Sequence, residues 1–216
     1  MSSCTLTQLR FIPTVTRGLL LGVDRSEAIR SIVSNHYTGS VPSGKSHYFK
    51  FDDAVIVFAI PANMHASRAV TGRVGFVTWE LSRLWAPDGH RHDLMTQAIS
   101  WSLGELLAIE KVDVIVSYAD PNVGHYGGVY QAASWVYQGQ SEECRGWLSR
   151  DGKVVTRRAF HSGKSSMDAS VIRGMGFSPV RLKGKHRYAK GMNKAAIRAV
   201  SEMAMPYPKP NRQVGS

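Results

Sequence analysis

Apolar positions along this chain switch between a period of two and a period near 3.6, and each switch marks an element. Residues 6–13 alternate and stop at Pro13, which predicts an edge strand. Asp24 with Glu27 forms a capping box, and Ile29, Ile32 and Val33 stripe the helix that follows, ending near Asn35. Residues 46–51 and 54–60 are strands joined at Asp52-Asp53, the second apolar throughout and therefore central. Residues 62–75 have no period and predict a loop. Residues 76–85 alternate, with Val77, Trp79, Leu81 and Arg83 on one face. Met95, Ile99, Leu103 and Leu106 stripe a helix over 94–110 that Asp93 can cap, and residues 112–118 return as a strand. A helix carrying Tyr130, Ser134 and Trp135 comes next. Strands over 143–149 and 153–159 turn at Asp151-Gly152. A short helix over 169–174, a strand pair over 177–181 and 186–189, and a basic helix over 190–204 follow.

Strand, long helix, strand is a right-handed crossover between parallel neighbours. The whole order predicts an α/β fold, a mixed (α+β) sheet with helices on both faces. Residues 1–204 form one domain, and 205–216 a proline-rich tail that is disordered or lies on the surface. The order resembles the GNAT acyltransferase fold. In that fold the strands before and after the long helix splay apart and the donor lies in the gap.

Charge narrows the partners. The net charge is +11, yet residues 1–140 hold 11 Lys/Arg against 11 Asp/Glu. The excess therefore lies in the basic C-terminal third, residues 141–204 and the tail. A one-sided positive field attracts phosphate polymers. Arg145, Arg150, Lys153, Arg157, Arg158, Lys183, Lys185 and Arg187 are the candidate contacts to double-stranded DNA, set against a merely solubilising basic tail. No run of about 18 apolar residues predicts a membrane span. The start is not a secretory signal, and Cys4 and Cys144 alone make no disulfide framework, which suits a reducing cytoplasm.

Candidate chemistry gathers where the 112–118 strand runs out. Asp120, Asn122, His125, Tyr126 and Tyr130 fall within eleven positions, and polar groups just beyond a buried strand face a ligand cleft more often than a core. Asp120 can accept a proton, and Asp before Pro121 is also an ordinary turn former. Tyr130 can donate to a leaving group or pack as a rim tyrosine. Arg83 can bind a phosphate or carboxylate, or pair structurally with Glu80 or Asp120. Tyr37, Tyr126 and Trp135 are candidates for stacking on a base taken out of the duplex. His36, Tyr37, Asp120 and His125 together have the chemistry to ligate iron or zinc, and that site is left open.

Trp79-Glu-Leu-Ser-Arg-Leu-Trp-Ala-Pro-Asp-Gly-His, Ser117-Tyr-Ala-Asp-Pro-Asn-Val-Gly-His and Gly127-Gly-Val-Tyr-Gln-Ala-Ala-Ser-Trp, with the Asn35-His36-Tyr37 junction, resemble the Mom family of bacteriophage DNA-modification proteins. The likeness covers most of residues 30–150. It implies a GNAT-like transferase that places a carbamoylmethyl (acetamido) group on adenine N6 in phage DNA, in the host cytoplasm, to evade restriction. By motif, the implied functional positions are His36, Tyr37, Arg83, Asp120 and Tyr130, with Ser117 beside them. Ordinary GNAT acetyltransferases open the long helix with a glycine-rich loop that holds the coenzyme A pyrophosphate. Here Ala86-Pro-Asp-Gly-His-Arg-His-Asp93 brings a proline and two carboxylates instead, which argues against acetyl-CoA. An activated glycyl group, on a small molecule or on tRNA, has the atoms of a carbamoylmethyl group rearranged, and the expectation is that it is transferred and then rearranged. Two other readings stay open: a non-enzymatic basic DNA-binding protein on a degenerate GNAT fold, and an ordinary acetyl-CoA-dependent N-acetyltransferase. A homodimer is also left open.

Overall fold

The computed structural model describes residues 25–156, 160–162 and 165–208. The expected strand over 6–13 and the Asp24 cap lie outside them. Helix α1 (Arg25–Asn35) leads to the antiparallel hairpin β1 (Ser46–Phe51) and β2 (Ala54–Ala59), then the short helix α2 (Ala66–Thr71). Strand β3 (Thr78–Trp85), helix α3 (Leu94–Ile109) and strand β4 (Val114–Ala119) form the crossover. A short helix α4 (Gly128–Ala132) and strand β5 (Val136–Gln140) follow. A lobe then holds β6 (Cys144–Leu148), β7 (Val154–Thr156), β8 (His161–Ser162), β9 (Ser165–Ser166), α5 (Ala169–Gly174) and β10 (Ser178–Leu182). The chain closes with β11 (His186–Gly191) and α6 (Lys194–Ser201).

The main sheet has the order β1-β2-β3-β4-β11-β5. Among the described residues only β3 and β4 pair parallel, and β11 returns between β4 and β5. β2 is buried at every position, as its unbroken apolar run requires of a strand covered on both sides. Alternation divides its neighbours. Ile56, Phe58, Trp79 and Ile115 pack with α3 and Tyr130 on one face. Val55 and Val57 with α1, and Val114 and Val116 with Val70, Ala196 and Val200, cover the other. Each fully buried side chain of this size contributes about 1.5–3 kcal/mol.

Several expectations are corrected. Residues 62–75 contain α2, whose Val70 is fully buried against Val114 and Val116. The helix after β4 ends at Ala132. Ser134 adopts a positive φ of 57°, and Trp135 leads into β5, a strand whose Gln138 and positive-φ Gly139 hide the alternation. The strands over 178–182 and 186–191 do not pair with each other. β10 joins the small sheet β10-β6-β7, and β11 joins the main sheet. The lobe has its own core of Trp147, Phe160 and Ile172. The tail lies on the surface as far as Pro208: Met205 N–H donates to the Tyr137 carbonyl and Tyr207 Oη to that of Trp135, both at 2.8 Å.

Candidate active site

β3 and β4 are in register only from Thr78↔Val114 to Leu81↔Ser117. Beyond that pair they separate, as the resemblance implied, and a cleft of about 540 Å³ occupies the gap. A bulge sets what lines it. Val57 opposes Arg83 and Phe58 opposes Leu81, so Ser82 is an extra residue in β3. Parity flips there. Leu81 and Leu84 face the α3 side, whereas Arg83 and Trp85 face α1, so Arg83 does not share the face of Trp79 and Leu81 as strict alternation predicted.

The flip delivers Arg83 to the loop after α1. Its Nε donates to the Ser40 carbonyl at 2.8 Å and its Nη1 to the Ser82 carbonyl at 2.6 Å. Burial holds the guanidinium below its ordinary value, and Tyr37 and Glu80 oppose that shift. The anchored loop presents His36 and Tyr37. His36 Nδ1 lies 2.8 Å from Thr38 Oγ1 and accepts the Thr38 N–H at 3.2 Å, which leaves the ring proton on Nε2. Burial, then Arg83, His125 and Lys185, pull His36 down to about 4, so the ring is neutral at neutral pH. Tyr37 stacks on His36 at 4.5 Å and meets His125 edge-on at 5.3 Å. Burial and Asp120 raise its phenol, against Lys185.

At the inner end, Tyr130 is 7% exposed and burial pushes its phenol up to about 12, so it keeps its proton. Ser117 Oγ stands 2.8 Å from Tyr130 Oη and 2.7 Å from the Leu81 carbonyl. One hydroxyl proton serves one acceptor at a time. With Ser117 turned to Leu81, the tyrosine can donate to Ser117; with Ser117 turned to Tyr130, the phenol proton is released toward the cleft. Gly127 makes this arrangement possible. Its φ is 79°, and a Cβ there would stand 2.2 Å from Tyr188 Cε2. That close approach carries the chain from Tyr126 into α4.

Asp120, 7% exposed, does not line the cleft, whose wall runs from Ala119 to Gly124 without it. Its Oδ1 accepts from Asn122 N at 3.0 Å and Nδ2 at 2.8 Å, and its Oδ2 pairs with Lys185 Nζ at 3.0 Å. Burial alone would raise its carboxyl; Lys185 and Asn122 outweigh burial and hold it below the usual range. Lys185 therefore belongs to the site rather than to a free basic surface, a partnership across 65 positions that no local pattern announces.

The other sequence candidates divide. Ser117 is 1% exposed and acts only through Tyr130 and Leu81. Trp135 is fully buried against Tyr130, so of the proposed stacking residues only Tyr37 and Tyr126 line the cleft. The suggested iron or zinc set is not assembled. Among the described residues no group of three or more His, Cys, Asp and Glu side chains stands close enough to hold a metal ion. Asp120 is instead committed to Lys185 and Asn122. Of the basic set, Arg145, Arg150, Lys153 and Lys183 are exposed. Arg187 is not available: it donates to the Gln138 carbonyl at 3.2 Å with Nε buried. Arg157 and Arg158 lie outside the described residues. At the loop before α3, Arg91 is engaged by Asp52 at 3.0 Å and by Asp93, and Asp93 makes no capping bond, contrary to expectation.

The strand order and the splayed cleft define a mixed α/β protein of GNAT-like architecture. The chain belongs to the Mom protein family, whose family model matches residues 19–209. No curated protein matches it. Among solved structures it is similar to a Bacillus subtilis acetyltransferase in complex with CoA, at 9% identity and a TM-score of 0.38, over 80% of this chain and 88% of that one. No described helix is long and apolar enough to cross a membrane.

Proposed function

We propose that this chain is a phage-encoded transferase that acts in the host cytoplasm and places a carbamoylmethyl group on adenine N6 of double-stranded DNA, shielding it from restriction. The observation that carries the reading is the protonated Tyr130 hydroxyl at the inner end of the cleft, hydrogen-bonded to Ser117. Adenine N6 is a weak nucleophile because its lone pair is delocalised into the ring. Its attack on an activated carbonyl needs a leaving group that is protonated as it departs. Tyr130 supplies that proton, Ser117 turns to release it, and the proton shed by N6 returns to the strongly basic Tyr130 oxygen. Neutral His36, with its proton on Nε2, is a hydrogen-bond donor to the carbonyl oxygen. Arg83 and Tyr37 orient the donor. Asp120, held ionised by Lys185, fixes the turn that presents Tyr126 and His125 rather than taking the N6 proton itself.

The donor in this reading is an activated glycyl group: attack at its carbonyl releases the carrier and gives N6-glycyladenine, and a rearrangement then moves the N6 bond from the carbonyl carbon to the methylene while the amine takes the carbonyl, giving the isomeric carbamoylmethyl group with no atom gained or lost. Pro87 and the carboxylate of Asp88, which lines the cleft, make a poor cradle for a pyrophosphate. The test is nucleoside mass spectrometry on DNA from cells expressing the chain and grown on isotope-labelled glycine. A labelled carbamoylmethyladenine that disappears with Tyr130→Phe is expected. No modified adenosine beside folded protein would return the chain to a DNA-binding role, and an unlabelled product would exclude glycine.

A further inference from the structure

A second hollow of about 410 Å³ adjoins the cleft, and Tyr126 lines both. Its walls are the two chain crossings between sheet and lobe. One is Gln140, Ser141 and Glu143, just before β6; the other is Lys183 and Gly184, just after β10. The crossings are locked together. Ser141 N–H donates to the Lys185 carbonyl at 2.9 Å, Lys185 N–H donates to Ser141 Oγ at 2.9 Å, and a Cβ at Gly184 would stand 1.6 Å from the Ser141 carbonyl oxygen. The floor is His186, 5% exposed, bonded through Nδ1 to Tyr137 Oη at 2.9 Å and lying 5.6 Å from the Tyr126 ring.

We infer that this hollow is the entry subsite for an extrahelical nucleobase, which reaches the cleft past Tyr126; the inference rests on the DNA reading above. Size admits a nucleoside, since small-molecule sites run from roughly 300 to 1,000 Å³. Chemistry selects a neutral aromatic heterocycle. Tyr126 and His186 offer rings, and the Gln140 carboxamide, its Nε2 donating to the Gly184 carbonyl at 3.3 Å and standing 3.4 Å from His186 Nε2, offers its oxygen as an acceptor for an exocyclic amino group such as adenine N6. Position agrees. The exposed Arg145 stands two residues beyond Glu143 of the hollow's wall, so DNA held there would run beside the hollow.

The test uses the full chain and a duplex with 8-azidoadenine in place of adenine in one strand, irradiated and mapped by fragment-ion mass spectrometry. Adducts on Gln140 or Ser141 are expected, since Tyr126 also lines the cleft. Adducts confined to the β6–β7 hairpin, or to Tyr37 and His125, overturn the inference. Gln140→Ala, at an exposed position, should lower adduct yield at the hollow about ten-fold while duplex affinity stays within about two-fold; an unchanged yield overturns it. Adducts in the hollow with no carbamoylmethyladenine formed would refute the proposed reaction and leave the subsite standing. Modified adenine without an adduct in the hollow would refute the subsite alone.

Discussion

His36 gives the sharpest measurement on the cleft that needs no substrate. Its imidazole titrates at about 4 in the folded chain against 6.5 when unfolded. Between those values the unfolded chain binds a proton that the folded chain refuses. Stability is therefore full above about pH 6.5 and falls as pH drops toward 4. At pH 5 the unfolded ring is almost wholly charged and the folded ring mostly neutral, which costs about 2 kcal/mol by linkage. The ring keeps some solvent exposure, and screening reduces the expected loss to about 1 kcal/mol. His36→Asn keeps an acceptor where Nδ1 takes the Thr38 N–H, yet cannot titrate. Urea denaturation at pH 7.5 and pH 5, on both proteins, isolates the effect, because carboxylates are common to the pair. Wild type should lose about 1 kcal/mol more than the variant. Equal losses would mean that His36 is solvated and charged at pH 5, and its role as a neutral donor would fall.

Three further outcomes follow from the same geometry. Gly127→Ala meets both a left-handed backbone and the Tyr188 ring, and should cost about 2–4 kcal/mol in urea denaturation; under about 1 kcal/mol would show that Tyr188 yields. Tyr130→Phe should lower adenine modification by about 10²–10⁴-fold while costing only about 1 kcal/mol of stability, because Ser117 keeps the Leu81 carbonyl; modification unchanged by mass spectrometry refutes proton donation. Charge reversal at Arg145 and Lys153 should flatten the log Kd against log salt slope by about 0.9 for each DNA phosphate that is no longer neutralised; an unchanged slope places the duplex elsewhere.

The elements that sequence announces here are those whose pattern is local. The hairpin across Asp52-Asp53, the α3 stripe and the apolar run into Asp120 each repeat one period for the length of the element. What stays hidden is set by partners far along the chain. β5 carries Gln138 and a positive-φ Gly139, and no alternation shows. Its Gln138 Nε2 donates to the Val70 carbonyl at 2.8 Å and the Val200 carbonyl at 3.2 Å, tying the unpredicted α2 to α6. Strands β10 and β11 look like one hairpin around Gly184, and they part because Leu182 packs into the lobe sheet while Tyr188 is drawn to full burial beneath Gly127. The candidate site was legible by residue type, since Arg83, His36, Tyr37, His125 and Tyr130 all line one cleft. The pairing of Asp120 with Lys185 was not, and it changes what Asp120 can do.

The Ser82 bulge shows why this difference matters for chemistry. Without the bulge, with Ser82 paired as an ordinary strand residue, Arg83 would point with Leu81 into the α3 core, where a guanidinium has no water and the cost of burial is several kcal/mol. With it, the same side chain turns to α1 and holds the Ser40 carbonyl, and through that loop it fixes His36 and Tyr37 over the gap. The splay between β3 and β4 starts at Leu81 and Ser117, immediately before the bulge. One inserted residue thus ends the parallel ladder on one side and redirects a cation on the other. Opening of the cleft and assembly of its walls therefore meet at one residue, and deleting Ser82 would remove the bulge while leaving Arg83 opposite Leu81 on the α1 face.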